Sequence, residues 1–68
     1  MPLVLADVGK ENIIKKIGAA RGQAAFENLG FVVGGTVTII NSLGGNVIVN
    51  VKESRVAVSE EMARKIMV

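Results

Sequence analysis

The side chains that could perform chemistry in this sequence are few, and their types restrict what that chemistry could be. The 68 residues include no His and no Cys. Ser42, Ser54 and Ser59 fall in predicted turns or at a helix start, and no histidine is present to activate them as nucleophiles. The missing His and Cys also remove the usual ligands of zinc and of softer metals. We therefore expect a protein that is not an enzyme, with no catalytic residue, no metal site and no bound cofactor.

The carboxylates are the remaining candidates, because hard cations prefer oxygen ligands. Asp7 lies near the N-terminus, whereas Glu60 and Glu61 are adjacent at the predicted start of a helix. Adjacent helical residues do not face one site. We interpret Glu60 and Glu61 as acids that stabilise the positive end of the helix dipole. Cation binding through Asp7, Glu60 and Glu61 is kept as the last alternative.

Gly30, Gly34 and Gly35 do not form a phosphate-binding loop. They lack the P-loop spacing and its terminal Lys-Ser or Lys-Thr. They also precede a predicted strand, whereas anions bind at the N-terminus of a helix. The glycines are therefore assigned to backbone geometry.

That geometry is a corner between a short helix and a strand. Gly30 is predicted to take the left-handed conformation after the helix, which glycine adopts without a Cβ penalty. Phe26 and Phe31, the only aromatic residues, would then occupy the two positions that touch in a Schellman motif. Beyond Gly34-Gly35, the β-branched run Thr36–Ile40 predicts a strand.

The composition indicates one small domain, which we place at residues 1–68. Half of the residues are apolar and 3% are aromatic, so the core must consist of aliphatic side chains, which suits a small β-barrel. Glycines or charges interrupt every apolar run before 18 residues, and the N-terminus has no basic region, so neither a membrane span nor a signal peptide is predicted. We expect a cytoplasmic protein.

The rest of the pattern predicts short strands joined by turns. The expected elements are an N-terminal arm, a strand at 13–17, a helix at 21–29, strands at 36–40, 47–52 and 55–58, and a helix that Ser59 caps. Alternation places Val47, Val49 and Val51 on the buried face of their strand. Turns are expected at Gly44-Gly45 and Glu53-Ser54.

The spacing of apolar residues also predicts which side chains of the first strand and of the two helices are buried. Ile14 and Ile17 break strict alternation, and a β-bulge in the first strand would bury both. The first helix is expected to bury Ala25, Phe26 and Leu29, and the second Met62, Ala63 and Ile66.

The order of these features resembles the FeoA family, small accessory proteins of bacterial ferrous iron uptake. The matching features, in chain order, are Ile14 and Ile17, Leu29-Gly30-Phe31, Gly34 ahead of Val37 and Ile39, Gly44-Gly45 ahead of the alternating valines, Arg55–Val58, and the closing Ala63, Ile66 and Val68. The sequence departs from the family pattern at Val33, where Pro is common, and at Glu53-Ser54, where Gly is common.

The resemblance implies a fold and a function. The implied fold is mainly β, a small SH3-like, partly open barrel with a short helix before the second main strand and a short C-terminal helix, also similar to the C-terminal domain of DtxR-type repressors. The implied function is that of a cytosolic accessory protein that contacts the FeoB transporter and its G-protein domain. We predict the contact surface at the apolar residues Phe31, Val32, Val33 and Leu43.

Two other functions stay open on the sequence alone. The net charge of +2 and the Lys15-Lys16 pair are compatible with nucleic-acid binding, although such barrels usually stack bases on exposed aromatic rings. Arg55–Ser59 followed by an acidic helix start is also compatible with a swapped-hairpin DNA-binding dimer.

Overall fold

The computed structural model describes residues 1–18 and 22–68, and within these ranges the chain forms six strands, two short α-helices and one 3₁₀ turn. The 3₁₀ turn is Leu3–Leu5, and the other elements are β1 (Glu11–Ile13), β2 (Lys16–Ile17), α1 (Gln23–Asn28), β3 (Thr36–Leu43), β4 (Asn46–Val51), β5 (Ser54–Ser59), α2 (Glu60–Ala63) and β6 (Ile66–Met67).

Two antiparallel sheets surround one core. The larger has the strand order β1-β3-β4-β5, and the smaller pairs β2 with β6. The sheets do not close on each other, so the barrel is partly open. This confirms the mainly β prediction, including the short helix before β3 and the short helix near the C-terminus.

The core follows the predicted period of two. Val37 and Ile39 on β3 are buried, and so are Val47, Val49 and Val51 on β4. Ile39 lies opposite Val49 and Val37 lies opposite Val51, so inward side chains of neighbouring strands meet across the ladder. The alternation was therefore sufficient to predict which face of the central sheet is buried.

The single strand predicted at 13–17 is wrong, because the chain changes sheets there. The Ile14 N–H donates to the Gly35 carbonyl at 2.8 Å, while the Lys15 N–H donates to the Met67 carbonyl of the smaller sheet at 2.8 Å. Ile14 and Ile17 are both buried, as predicted, but the crossing between sheets achieves this in place of a β-bulge. The bulge in this structure lies in β3, where the register shifts between Ile39 and Asn41.

The two hairpin turns differ in how well the sequence predicts them. Gly44-Gly45 forms the tight turn between β3 and β4, and both residues have positive φ, of 52° and 85°. The next turn is one residue earlier than predicted, at Lys52-Glu53, because Ser54 pairs with Val51. Lys52 and Glu53 have φ of 48° and 63°, the region that the type I′ turn requires and that side chains with a Cβ disfavour.

The corner after α1 is the predicted Schellman motif. Gly30 has a φ of 100°, its N–H donates to the Glu27 carbonyl at 2.9 Å, and the Phe31 N–H donates to the Phe26 carbonyl at 2.9 Å. The predicted apolar face of the helix is only partly correct. Phe26 is buried, but Ala25 and Leu29 are exposed, and Arg21 of the predicted range lies outside the described residues.

The chain ends near its beginning. The Ser59 hydroxyl caps α2 by accepting from the Met62 N–H at 3.2 Å, as predicted. Ile66 is buried but belongs to β6, because α2 already ends at Ala63.

The N-terminal arm places Leu3 in the core. No helix of the described ranges is long and apolar enough to cross a bilayer.

The strained turn generates a stability prediction. Replacing Lys52 with Asn and Glu53 with Gly should raise the free energy of unfolding by about 1 kcal/mol, since Asn-Gly adopts this turn with little strain. Urea titration would show a higher midpoint. The matched control is Gly44→Ala with Gly45→Ala in the other hairpin, which should lower the free energy of unfolding by about 2–4 kcal/mol, because both positions are left-handed. An unchanged midpoint in the Asn-Gly variant would contradict the conclusion that the Lys52-Glu53 turn is strained.

Candidate functional site

The described ranges contain neither a pocket nor a cluster of three His, Cys, Asp or Glu residues able to hold a metal ion. Asp7 instead lies 3.6 Å from the Lys10 ammonium in an exposed ion pair. Glu60 and Glu61 occupy the first turn of α2, as the dipole interpretation predicted. The cation site proposed from Asp7, Glu60 and Glu61 is therefore not assembled.

The structure separates the four predicted contact residues into core and surface. Phe31 is fully buried, and its ring packs edge-to-face on Phe26 with the centroids 6.3 Å apart and the planes at 73°. Phe31 therefore belongs to the core and offers no surface to a partner. Val32 is half-buried, while Val33 and Leu43 are 60% and 59% exposed.

Val33 is exposed on a segment whose backbone is fixed. The next residue, Gly34, donates its N–H to the Ile14 carbonyl at 2.8 Å, and Gly35 accepts from the Ile14 N–H at 2.8 Å and donates to the Val32 carbonyl at 3.0 Å. Val33 thus projects from a turn that is tied to the end of β1. A rigid backbone reduces the ordering cost of binding at such a position.

Ile13 is a neighbouring surface residue that the sequence analysis missed. It is 59% exposed and lies opposite Thr36 in the register of β1 and β3. Ile13 and Val33 each adjoin a residue of the hydrogen-bonded pair Ile14 and Gly34, so both flank the same junction. Strand alternation could have predicted this exposure, because Ile13 follows Asn12 and precedes the buried Ile14. We call Ile13, Val32 and Val33 the junction surface.

Leu43 is not part of the junction surface. It pairs with Asn46 at the far end of β3, next to the Gly44-Gly45 turn. The eight-residue strand separates it from Val33 by roughly 20 Å, at about 3.3 Å per residue. Further exposed apolar residues lie in the N-terminal arm, namely Met1, Leu5 and Val8.

The same geometry bears on the nucleic-acid alternatives. Phe26 and Phe31 are buried against each other, so neither ring can stack on a base. Lys15 and Lys16 are both exposed. Lys16 begins β2, and Lys15 directly precedes it. The hairpin of β4 and β5 pairs within one chain, from Asn46 opposite Ser59 to Val51 opposite Ser54.

Comparison with known families agrees with this fold. The FeoA domain family matches residues 1–68. The chain belongs to the FeoA family. This confirms the resemblance inferred from the order of the motifs.

A sequence relative and two solved structures each match nearly the whole of this chain. A Methanocaldococcus jannaschii protein named "Putative Fe(2+) transport protein A" is 37% identical over 68 residues, which are 98% of this chain and 83% of that protein. The crystal structure of an iron uptake regulatory protein, FeoA, is 25% identical, with a TM-score of 0.85 over 97% of this chain and 89% of that one.

A more distant structure shows that the fold persists at low identity. The solution structure of FeoA from Chlorobium tepidum is 20% identical, with a TM-score of 0.86 over 98% of this chain and 67% of that one. These likenesses confirm the SH3-like fold.

The division between core and surface can be tested by stability. Phe31→Ala should lower the free energy of unfolding by about 3–5 kcal/mol, because it removes a fully buried ring and the contact with Phe26. Val33→Ser and Leu43→Ser should change it by less than about 0.5 kcal/mol, because both side chains are exposed. Denaturant titration of the three variants compares them directly. A small loss in Phe31→Ala would contradict its place in the core.

Proposed function

We propose that this FeoA-family protein is a non-enzymatic, cytosolic, single-domain accessory protein of ferrous iron uptake, and that it contacts the FeoB transporter through the transporter's cytosolic G-protein domain. The family match over residues 1–68 is the observation that supports this proposal most strongly. The names of the relatives, Fe(2+) transport protein A and iron uptake regulatory protein, support the link to iron uptake.

The junction surface is the contact site that we propose. Exposed apolar side chains with a polar surround are typical of protein-interaction sites. The side chains of Val33 and Ile13 are each about three-fifths exposed, and that of Val32 is half-buried. Thr36 and Lys15 are exposed beside them and supply polar groups at the margin.

Leu43 is the second candidate, and its position makes it a useful comparison. Its side chain is exposed to the same extent as that of Val33, but it lies beside a glycine turn at the other end of β3. A partner that contacts the junction surface should leave Leu43 untouched, unless it covers one whole side of the molecule.

The test is an isotope-labelled amide spectrum titrated with the transporter's purified G-protein domain, with and without guanine nucleotide. We expect shifts concentrated on residues 13–15 and 32–36. Val33→Asp should weaken binding by about tenfold or more, because it places a charge in an apolar contact. Leu43→Asp is the matched control, with the same exposure and the same change of charge, and should bind normally.

Two results would overturn the proposal in different ways. Unchanged spectra at high micromolar domain would argue against contact with this part of the transporter. Binding that responds to Leu43→Asp but not to Val33→Asp would keep the partner and move the site to the opposite end of β3.

A further inference from the structure

The outer edge of β5 is the longest strand edge without a neighbour in the described part of the chain. β5 is the last strand of the larger sheet and pairs there with β4 alone. It has six residues, no proline and a single charge, Arg55. Natural edge strands are usually shortened, covered or protected by several charges, because their unpaired backbone groups can pair with another strand. β5 shows little of this protection.

The register identifies which backbone groups point outward. The two-residue turn at Lys52-Glu53 makes Val51 and Ser54 the closing hydrogen-bonded pair. Hydrogen-bonded and non-hydrogen-bonded pairs alternate along an antiparallel ladder. Ser54, Val56 and Val58 therefore direct their N–H and C=O groups toward β4. The N–H and C=O groups of Arg55 and Ala57 point away from the sheet, and no other described segment pairs with them.

We propose that β5 pairs antiparallel with β5 of a second copy of this chain, about a two-fold axis at Ala57. In this arrangement Ala57 faces the second copy's Ala57, and Arg55 faces the second copy's Ser59. The Ala57 pair exchanges two hydrogen bonds. The Ser59 carbonyl already accepts the first bond of α2, so each Arg55–Ser59 pair adds one bond, from the Ser59 N–H to the Arg55 carbonyl, which gives roughly four in total. The contact is isologous, so it closes at the dimer.

Three features make the edge complementary to itself. Ala57 has the smallest side chain of β5, so the two copies of it that face each other at the two-fold axis do not clash. Arg55 is exposed and is brought to the second copy's Ser59, which directly precedes the acidic pair Glu60 and Glu61. Opposite charges on facing strands stabilise a pairing.

The third feature is Val56. Its side chain faces inward, opposite Val49, but is only half-buried because no strand lies beyond it. In the paired arrangement, the second copy's Val58 is its cross-strand neighbour on the same face. Pairing would therefore cover apolar surface that the isolated chain leaves partly open. The strip is narrow, well below the roughly 1,000 Å² of a stable interface, so a weak, concentration-dependent dimer is expected.

Amide hydrogen exchange tests the pairing residue by residue. At low protein concentration, the amides of Val56 and Val58 should be protected, whereas those of Ala57 and Ser59 should exchange quickly. At about 1 mM protein, the amides of Ala57 and Ser59 should become protected as the dimer forms. Sedimentation equilibrium over the same concentrations should show a monomer–dimer equilibrium.

Ala57→Pro is the decisive variant, because proline removes an outward N–H and leaves the ladder between β4 and β5 intact. It should lower the association constant about tenfold or more. Ala57→Ser is the matched control, since it keeps the N–H and a small side chain, and it should dimerise normally. Circular dichroism and thermal unfolding establish that both variants fold.

Charge reversal provides a second test that does not depend on proline being tolerated. Arg55→Glu should weaken self-association, and a variant with Glu60→Lys and Glu61→Lys should pair with Arg55→Glu more tightly than either variant pairs with itself. The proposal is overturned if the protein stays monomeric at about 1 mM, or if a dimer forms while the amides of Ala57 and Ser59 stay unprotected. Protection that appears only when the transporter's domain is added would assign the edge to that partner and overturn the second-copy assignment.

Discussion

The edge-to-face contact between Phe26 and Phe31 is the interaction on which the rest of the structure depends. These are the only two aromatic rings in the sequence, and they are the largest side chains of a core that otherwise consists of aliphatic residues. The contact ties the end of α1 to the core across the left-handed Gly30. It thereby fixes where the chain enters the Gly34-Gly35 turn, and that turn in turn holds the end of β1. A helix of six residues is too short to be stable without such a tertiary contact.

The second constraint is the crossing of the chain between the two sheets. Ile14 bonds to the turn before β3, and Lys15 bonds to the strand that ends the chain, so two consecutive residues join both sheets. The barrel can stay open because this junction and the buried Ile14 and Ile17 hold its halves together from inside. The junction also holds the backbone that follows Val33 by hydrogen bonds, so the proposed contact lies beside a fixed part of the fold.

The sequence predicted those parts of the fold in which one local rule decides the outcome. Alternation gave the buried valines of β4, glycine gave the corner at Gly30 and the turn at Gly44-Gly45, and Ser59 gave the helix cap. It failed where tertiary context decides. The crossing at Ile14 and Lys15 depends on strands that are distant in sequence, and the turn at Lys52-Glu53 follows from the register of β4 and β5 against local preference.

The candidate surface was predicted less completely than the fold. Position near a loop predicts exposure for Phe31, but this ring is required in the core, and the same rule does not include the exposed Ile13. The composition shows that the chain has few aromatic residues, and in a small core these large side chains are buried rather than exposed. Exposure of Val33 and Leu43 followed from their turns, but their separation along β3 could be seen only in three dimensions.

The bulge in β3 has a consequence for competing states of the chain. Before the bulge, the odd-numbered Val37 and Ile39 face the core; after it, Ser42 shares a face with the buried Val47, and Leu43 faces outward opposite Asn46. A bulge-free strand would continue the odd parity, so that Asn41 would lie opposite Val47 and face the core, and Leu43 would fall in the connection to β4. That alternative register would need a longer connection to β4. The two glycines of the turn close the observed register in two residues, and so they favour the native register over one that would place the polar Asn41 on the core face.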